Sequence, residues 1–257
     1  MPWRLDATIC RVGDDHGRDR AVICLLCEPE DTDAIWLAAA LRRRGEDVEV
    51  VLPEEVMVGS AITCRIDSSG VSSTLRLHDG RVLANTTSDL IVNRLIDVPP
   101  VAGEASCTDA AFLVEEWRAT LAAWLRTMTC AVMNPPRAAT LTGPILSTPA
   151  WRAAASAHGL TCRPWDSEHD GPATDPIELT CVAGRCIDPT GHAPEALAAP
   201  LAELARFAGT PLLGATFDGA EGEWAFLDAT PWPRLSTAGT PLVEGIAACA
   251  RKVEMRG

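Results

Sequence analysis

Blocks of apolar and polar positions alternate along the chain and predict strands and helices in turn. Residues 21–27 are a continuous apolar run, which is typical of a strand buried on both faces. Residues 33–44 read as a helix that ends in three arginines, with Gly45 at the C-cap. Residues 48–52 predict the next strand. This strand–helix–strand start predicts a βαβ unit and a parallel sheet.

The middle of the chain predicts short strands and one long helix. The short strands are expected at 60–66, 71–77, 81–83, 90–93 and 130–133. Asp79-Gly80 predicts a tight turn and therefore a hairpin. The helix is expected over 109–126, with one apolar stripe formed by Leu113, Trp117, Leu121 and Trp124.

The C-terminal half alternates hairpins with helices. Thr148-Pro149 predicts the N-cap and first position of a helix that runs to 157. The later elements are expected as hairpins at 177–187 and 212–228 and as helices at 200–208 and 241–252. Residues 166–176 are polar and predict a linker. The fold class is therefore α/β, with α+β character in the C-terminal half.

Composition narrows the range of partners. The 257 residues carry a net charge of −13, which disfavours tracking a nucleic-acid backbone because that requires clustered cations. No apolar run is long enough to span a bilayer, and no basic amphipathic helix suits a membrane surface. The first seventeen residues lack the apolar stretch of a signal peptide. We therefore expect a cytoplasmic protein that binds neither nucleic acid nor membrane.

Ten cysteines and a single lysine, Lys252, mark the chain. Cys24 and Cys27 fall inside a predicted strand, which favours core packing over a redox pair, since a reactive pair needs a helix N-terminus. Lys252 stands near the C-terminal end, so a mechanism that needs a mid-chain lysine is excluded.

Cys181, Cys186 and His192 form the sharpest metal-like set. A two-residue turn at Ala183-Gly184 places Cys181 directly opposite Cys186, a separation that suits a disulfide or two thiolate ligands. His192 could then complete a zinc site. The spacing is not a standard zinc pattern, so ordinary packed cysteines remain an alternative.

Five local strings, taken in order, resemble the ATP-grasp superfamily of carboxylate–amine ligases, and most closely its actinobacterial members with a glutathione-synthetase-like layout. Leu90-Ile91-Val92-Asn93-Arg94 is similar to a strand that ends in arginine, and Val132-Met133-Asn134-Pro135-Pro136 to a "Val-Asn-Pro" strand end. The other similar strings are 157–164 ("Gly-Leu-x-x-Pro"), 179–186 ("Arg-Val-x-Val-Val-Gly"), and 212–217 with 226–231 ("Gly-Val-Asp-Phe" and "Leu-Glu-Val-Asn-Pro").

The resemblance implies a Rossmann-like pre-ATP-grasp domain followed by a reduced ATP-grasp subdomain. The expected division is 1–136 for the first domain, 137–165 for a connecting helix, 166–176 for a linker and 177–257 for the residual C-terminal subdomain. In the family, a lysine-bearing ATP-binding subdomain stands where this chain has only the linker. A subdomain of several strands cannot fit in that length.

The Mg²⁺ ligands that the resemblance implies are also incomplete. Asp228 stands where the family has an acidic residue, but Thr216 and Thr230 replace the aspartate and the asparagine. A two-residue shift of the alignment would place Asp218 at the first position. One carboxylate is too few for two Mg²⁺ ions, so no cofactor is expected.

The interpretation is a catalytically degenerate relative that binds a protein, a peptide or a small anionic ligand in a peptide-modification or secondary-metabolite pathway. Arg94, at the end of a predicted strand, is the candidate for an anionic group, and Asn134 occupies a similar edge. Asp228 and Asp218 complete the predicted ligand-binding set. Truncation of Arg94 is then expected to leave folding intact. The resemblance also implies a homodimer through the pre-grasp region.

Two other functions remain open from the sequence. One is an active ATP- and Mg²⁺-dependent ligase with an unusual or shared nucleotide site. The other is a metal- or thiol-dependent enzyme on the same scaffold, which the ten cysteines and five histidines permit.

Overall fold

The structure is a computed structural model, and it describes residues 22–57, 60–68, 70–97, 107–137, 140–162, 176–219 and 224–254. The elements in order are β1 (Val22–Leu26), α1 (Thr32–Arg43), β2 (Asp47–Val51), α2 (Pro53–Met57), β3 (Ala61–Asp67), β4 (Gly70–Arg76), β5 (Val82–Ala84), β6 (Leu90–Asn93), α3 (Cys107–Arg126), β7 (Ala131–Met133), α4 (Thr148–Ala157), β8 (Pro176–Val182), β9 (Arg185–Ile187), α5 (Ala198–Ala208), β10 (Leu212–Asp218), β11 (Ala225–Thr230) and α6 (Leu235–Glu254). A short 3₁₀ helix, Glu195–Leu197, precedes α5.

A four-stranded parallel sheet forms the first half of the molecule, in the order β2-β1-β6-β7. The predicted βαβ unit is confirmed, since β1 and β2 pair in parallel and α1 connects them. Asp31 caps α1 by accepting a hydrogen bond from the Ala34 amide at 2.9 Å. β1 and β6 are almost wholly buried, which explains why both read as unbroken apolar runs.

A small antiparallel sheet, β3-β4-β5, and the helix α3 cover one face of the parallel sheet. Three residues of the predicted α3 stripe, Trp117, Leu121 and Trp124, join this core, and the last two are 1% and 2% exposed. The apolar stripe of α3 therefore packs as its spacing predicts, except at Leu113, which is 39% exposed.

The C-terminal half is a second, antiparallel sheet in the order β11-β10-β8-β9. The turn between β8 and β9 is Ala183-Gly184, with φ of 48° and 82°. Positive φ at both central residues is the geometry of a type I′ hairpin. Cys181 consequently pairs with Cys186 in the register that the sequence predicts.

Helices α1 and α6 lie between the two sheets. Their apolar side chains share one core with the parallel sheet and with Val182, Ile187 and Leu212 of the C-terminal sheet. Helices α4 and α5 cover the other face of the C-terminal sheet around Trp151 and Phe217. Among the helices of the described ranges, none combines the length and apolar character needed to cross a bilayer.

Three local differences from the sequence prediction have physical causes. Helix α6 spans Leu235–Glu254 but is interrupted at Gly239, which takes a non-helical conformation (φ 61°, ψ −148°). The helix predicted from Pro241 is its second segment, and the short segment before Gly239 was not predicted. Ser147, not Thr148, is the N-cap of α4. The five-residue helix α2 was not predicted, since so short a segment shows little periodicity.

Candidate functional site

Asn134 lies at the carboxyl end of β7, at the edge of the parallel sheet where ligands often bind in such folds. The residue is fully buried and has a φ of 56°, in the left-handed region. Its side-chain nitrogen donates to the carbonyl oxygens of Leu212 at 2.9 Å and Pro231 at 2.8 Å. Its side-chain oxygen accepts from the Leu212 amide at 3.1 Å. Asn134 therefore ties the parallel sheet to the C-terminal sheet.

Arg94 lies at the same edge, just beyond β6, and is 4% exposed. Its Nε donates to Oδ2 of Asp31 at 2.6 Å and its Nη2 to Oδ1 at 3.2 Å. Its Nη1 donates to the carbonyl oxygen of Pro233 at 3.2 Å. Every guanidinium nitrogen thus has a partner within the protein. These contacts change the expectation that Arg94 can be truncated without effect on folding, while its role in ligand binding stays a prediction.

The segment 231–234 joins β11 to α6 and contacts this edge at Arg94. The indole Nε1 of Trp232 donates to the carbonyl oxygen of Arg94 at 3.3 Å. A Cβ placed on Gly214 would lie 3.0 Å from the Cβ of Pro233, so glycine at 214 allows the segment to lie directly on β10. The segment therefore covers the carboxyl edge over Arg94 and β10.

A row of polar side chains crosses three strands of the C-terminal sheet. Thr216 of β10 pairs with Glu178 of β8 on one side and with Asp228 of β11 on the other. Paired residues project on one face, so the three side chains share a face. All three are half-buried. We call Glu178, Thr216 and Asp228 the polar row.

The two predicted acidic residues lie on this same face. Asp228 accepts from the hydroxyl of Thr148 at 2.9 Å through Oδ2 and from the Ala229 amide at 2.8 Å through Oδ1. Asp218 is 4% exposed and stands two residues beyond Thr216 on β10. The structure therefore brings Asp218 and Asp228 to one face, on neighbouring strands.

The sequence did not predict Glu178 or Asp31 as part of this region. Oε1 of Glu178 accepts from the Arg234 amide at 2.7 Å. Burial raises the pKa of Glu178, and the nearby Asp33 carboxylate acts in the same direction. An isolated charged residue in an otherwise apolar strand was the available signal for Glu178, and a helix N-cap position was the signal for Asp31.

The raised pKa of Glu178 predicts a pH dependence of stability. A folded-state pKa above the unfolded value means that the folded chain binds more protons, so stability falls as the pH rises from the ordinary value of 4.5 through the higher folded value. Glu178→Gln removes this titration. We expect the wild-type chain to lose stability relative to Glu178→Gln across that window in urea unfolding. If the free energies of unfolding of the two proteins differed by the same amount at all pH values, the prediction would be wrong.

The structure does not group Cys181, Cys186 and His192 as metal ligands. His192 is exposed, and burial raises the pKa of the Cys181 thiol and takes that of Cys186 to about 11, which disfavours thiolates at neutral pH. No group of three or more metal-ligating side chains occurs within the described ranges.

Cys24 and Cys27 are core residues, as their strand position predicts. Each is 1% exposed. Burial raises the pKa of Cys24 well above its ordinary value and that of Cys27 to about 12. These thiols are therefore poor nucleophiles.

Part of the predicted site lies outside the described residues. The backbone of Cys162 forms an isolated parallel β-bridge with that of Phe226 in β11. The next described residue is Pro176, at the start of β8. Of the predicted linker 166–176, only Pro176 belongs to the described residues. Lys252 belongs to the last turn of α6, and its side chain also lies outside the described part.

No protein-family model matches the chain, and no curated protein matches it. Solved structures do share its fold. The macrocyclase MdnB from Microcystis aeruginosa MRC superposes with a TM-score of 0.62 and 16% identity, over 88% of this chain and 97% of its own. The macrocyclase MdnC of the same organism, bound to the precursor peptide MdnA, gives 0.65 and 10%, over 90% of this chain and 99% of its own.

The ATP-grasp ligase PsnB, in complex with the precursor peptide PsnA2 and AMPPNP, gives a TM-score of 0.63 at 13% identity. The match covers 89% of this chain and 98% of PsnB. At these identities the likeness shows the fold. The mixed α/β architecture described above, with one parallel sheet and an antiparallel C-terminal sheet, is that of these ligases, as the sequence resemblance predicts.

Proposed function

We propose that this chain, which has the fold of the ATP-grasp ligases, is a non-catalytic accessory protein that binds a peptide in a cytoplasmic peptide-modification pathway. The proposal includes the division into a pre-grasp domain (1–136), a connecting helix (137–165), a linker (166–176) and a residual C-terminal subdomain (177–257).

The main support for the proposal is that the polar side chains at the carboxyl edge of the parallel sheet are hydrogen-bonded within the protein. At this edge every guanidinium nitrogen of Arg94 donates a hydrogen bond to Asp31 or to the Pro233 carbonyl. Phosphoryl transfer requires cations that face the transferring group. On the C-terminal sheet, where the resemblance places Mg²⁺, the polar row presents the carboxyl groups of Glu178 and Asp228 rather than cations. The amide of Asn134 is likewise engaged on the neighbouring sheet. The geometry thus favours a scaffold at this edge over a phosphate-binding site.

Two observations support a peptide as the ligand. MdnC and PsnB were solved with precursor peptides, so peptide binding is compatible with this fold. The polar row offers the half-buried carboxylates of Glu178 and Asp228, and the chain carries a net charge of −13. A peptide with basic side chains therefore fits better than the small anionic ligand that Arg94 would bind.

Selection of a displayed peptide library on the intact chain tests peptide binding. We expect enrichment of basic peptides that bind with a Kd below roughly 100 µM in fluorescence anisotropy. Glu178→Gln should weaken their binding, whereas Glu203→Gln, on the exposed surface of α5, serves as the matched control. No enrichment, or equal binding to both variants, would contradict peptide binding at the polar row.

One observation favours the alternative of an active ligase. Asp218 and Asp228 lie on one face of the C-terminal sheet, as two Mg²⁺-binding carboxylates would. In that case the chain would bind ATP in an unusual way, or a partner subunit would supply the missing cationic side chains to the ATP phosphates. A thiol- or zinc-dependent enzyme is the weaker alternative, because His192 is exposed and the described ranges hold no group of three metal-ligating side chains. Burial also raises the pKa of both Cys181 and Cys186, which disfavours a metal-free thiolate nucleophile.

A further inference from the structure

The hairpin of β8 and β9 brings two cysteines face to face. Cys181 of β8 pairs with Cys186 of β9, and both are free thiols in this structure. The turn between the strands consists of Ala183 and Gly184 alone, which leaves the register little room to slip. Glu178 stands three positions before Cys181 and therefore projects from the opposite face of β8, so the cysteine pair is separate from the polar row.

The backbone hydrogen bonds show which type of pair the two cysteines form. The Ala183 amide donates to the Pro211 carbonyl at 2.7 Å, so the odd-numbered residues of β8 bond towards β10 and the even-numbered ones towards β9. Cys181 and Cys186 are therefore a non-hydrogen-bonded pair, the type in which facing side chains are closest and the Cα atoms are about 4.5 Å apart. A disulfide can span this separation.

Both thiols lie on the face of the C-terminal sheet that α5 covers. Cys181 is 0% exposed and belongs to the core on this face, whereas Cys186 is half-buried and packs against that core. Burial, with a smaller contribution from Cys181, takes the pKa of Cys186 to about 11. Cys186 is the more accessible of the two, so a reagent in solution reaches it first and reacts with it slowly at neutral pH.

We propose that Cys181 and Cys186 form a reversible thiol–disulfide site, whose oxidant is a low-molecular-weight disulfide, RSSR. The Cys186 thiolate attacks one sulfur of RSSR and forms a mixed disulfide, and the released RS⁻ takes up the proton that Cys186 lost. The Cys181 sulfur then attacks Sγ of Cys186 and breaks the mixed disulfide. The second RS⁻ leaves with the proton of Cys181. The protein thus loses two electrons and two protons, and RSSR is reduced to two thiols.

The position of the pair makes the disulfide reversible. A Cα separation at the short end of the disulfide range strains the bond, and strained disulfides are more easily reduced. Strand β9 has three residues and, among the described strands, pairs only with β8, so a slight shift of β9 suffices to admit the bond. Reducing conditions therefore keep the two thiols apart, and an excess of RSSR joins them.

Incubation of the intact chain with oxidised glutathione, followed by alkylation of the remaining thiols, tests the site. Trypsin cleaves after Arg185, between the two cysteines, whereas Arg163 is followed by proline and resists cleavage. The disulfide therefore joins fragment 153–185 to fragment 186–206, in which Cys186 is the single cysteine. We expect mass spectrometry of the non-reduced digest to show these two fragments linked. Dithiothreitol added to the folded, oxidised chain should restore both thiols.

Three variants identify the linked residues and the order of the steps. Fragment 153–185 also contains Cys162, so Cys162→Ala is the matched control and should link at the wild-type yield. Cys186→Ala should abolish the link. Cys181→Ala should retain glutathione on Cys186, because the thiol that displaces it is missing. If Cys181→Ala fails to fold, Cys186→Ala still provides the test. Cys24 and Cys27 belong to cores on opposite faces of the parallel sheet and should stay unlinked.

Two results would overturn the proposal. One is a folded wild-type chain in which Cys181 and Cys186 stay unlinked in excess oxidised glutathione, as ordinary packed cysteines would. The other is a link that disappears in Cys162→Ala, which would assign the reaction to Cys162 instead of Cys181. Peptide binding at the polar row is measured on the reduced chain, so failure of one proposal does not imply failure of the other.

Discussion

Replacing Asn134 by alanine is expected to lower the free energy of unfolding by about 4 kcal/mol. The substitution removes three hydrogen bonds and leaves the Leu212 and Pro231 groups unpaired in a buried site. Each unsatisfied buried group costs about 1–3 kcal/mol. Alanine at a φ of 56° adds about 1–2 kcal/mol of backbone strain.

Asn134→Gly is the matched control, since glycine adopts the same φ without strain but also lacks the amide. In urea unfolding, the free energy of unfolding of Asn134→Gly should be about 1 kcal/mol higher than that of Asn134→Ala. Both should lie well below the wild type. A loss under about 1 kcal/mol for either variant would show that the tie between the two sheets contributes little.

Replacing Arg94 by methionine is expected to lower the free energy of unfolding by about 3–5 kcal/mol. Methionine keeps an unbranched apolar stem but leaves the Asp31 carboxylate, whose side chain is 13% exposed, without its counter-ion. The Pro233 carbonyl also loses a donor. Removal of one member of a buried ion pair costs more than removal of both.

The double variant Arg94→Met/Asp31→Asn tests this cause directly. Asparagine can still cap α1 but carries no charge, so the double variant should regain part of the stability lost in Arg94→Met. Thermal and urea unfolding of the two single variants and the double variant give the coupling energy. A stable Arg94→Met protein would instead return Arg94 to the role of a free ligand-binding group.

Most strands and helices could be predicted from the chain, because their apolar periodicity is local. The β8–β9 turn is an example, since Ala183-Gly184 between two apolar runs predicts both the hairpin and the pairing of Cys181 with Cys186. Helix α6 was predicted only in part, because its first segment depends on distant contacts. Pro241 marks a helix start in the sequence, but the segment before Gly239 is held by contacts with distant residues, such as Ser236 with Asp33.

The candidate site was predictable only in part. Arg94 and Asn134 could be placed at strand ends, but their partners are far apart in sequence: Asp31, Pro233, Leu212 and Pro231. No local pattern shows that such side chains are already satisfied. The face shared by Asp218, Asp228 and Glu178 likewise depends on the register of three strands, which the sequence does not contain in any one segment.

The most direct test of the proposed function is calorimetric titration of the intact chain with Mg-ATP and with Mg-ADP. We expect no saturable binding with a Kd below roughly 100 µM for either nucleotide. The variant Asp218→Asn/Asp228→Asn should give the same trace as the wild type. Saturable binding that this double variant abolishes would contradict a non-catalytic role and support an active ligase.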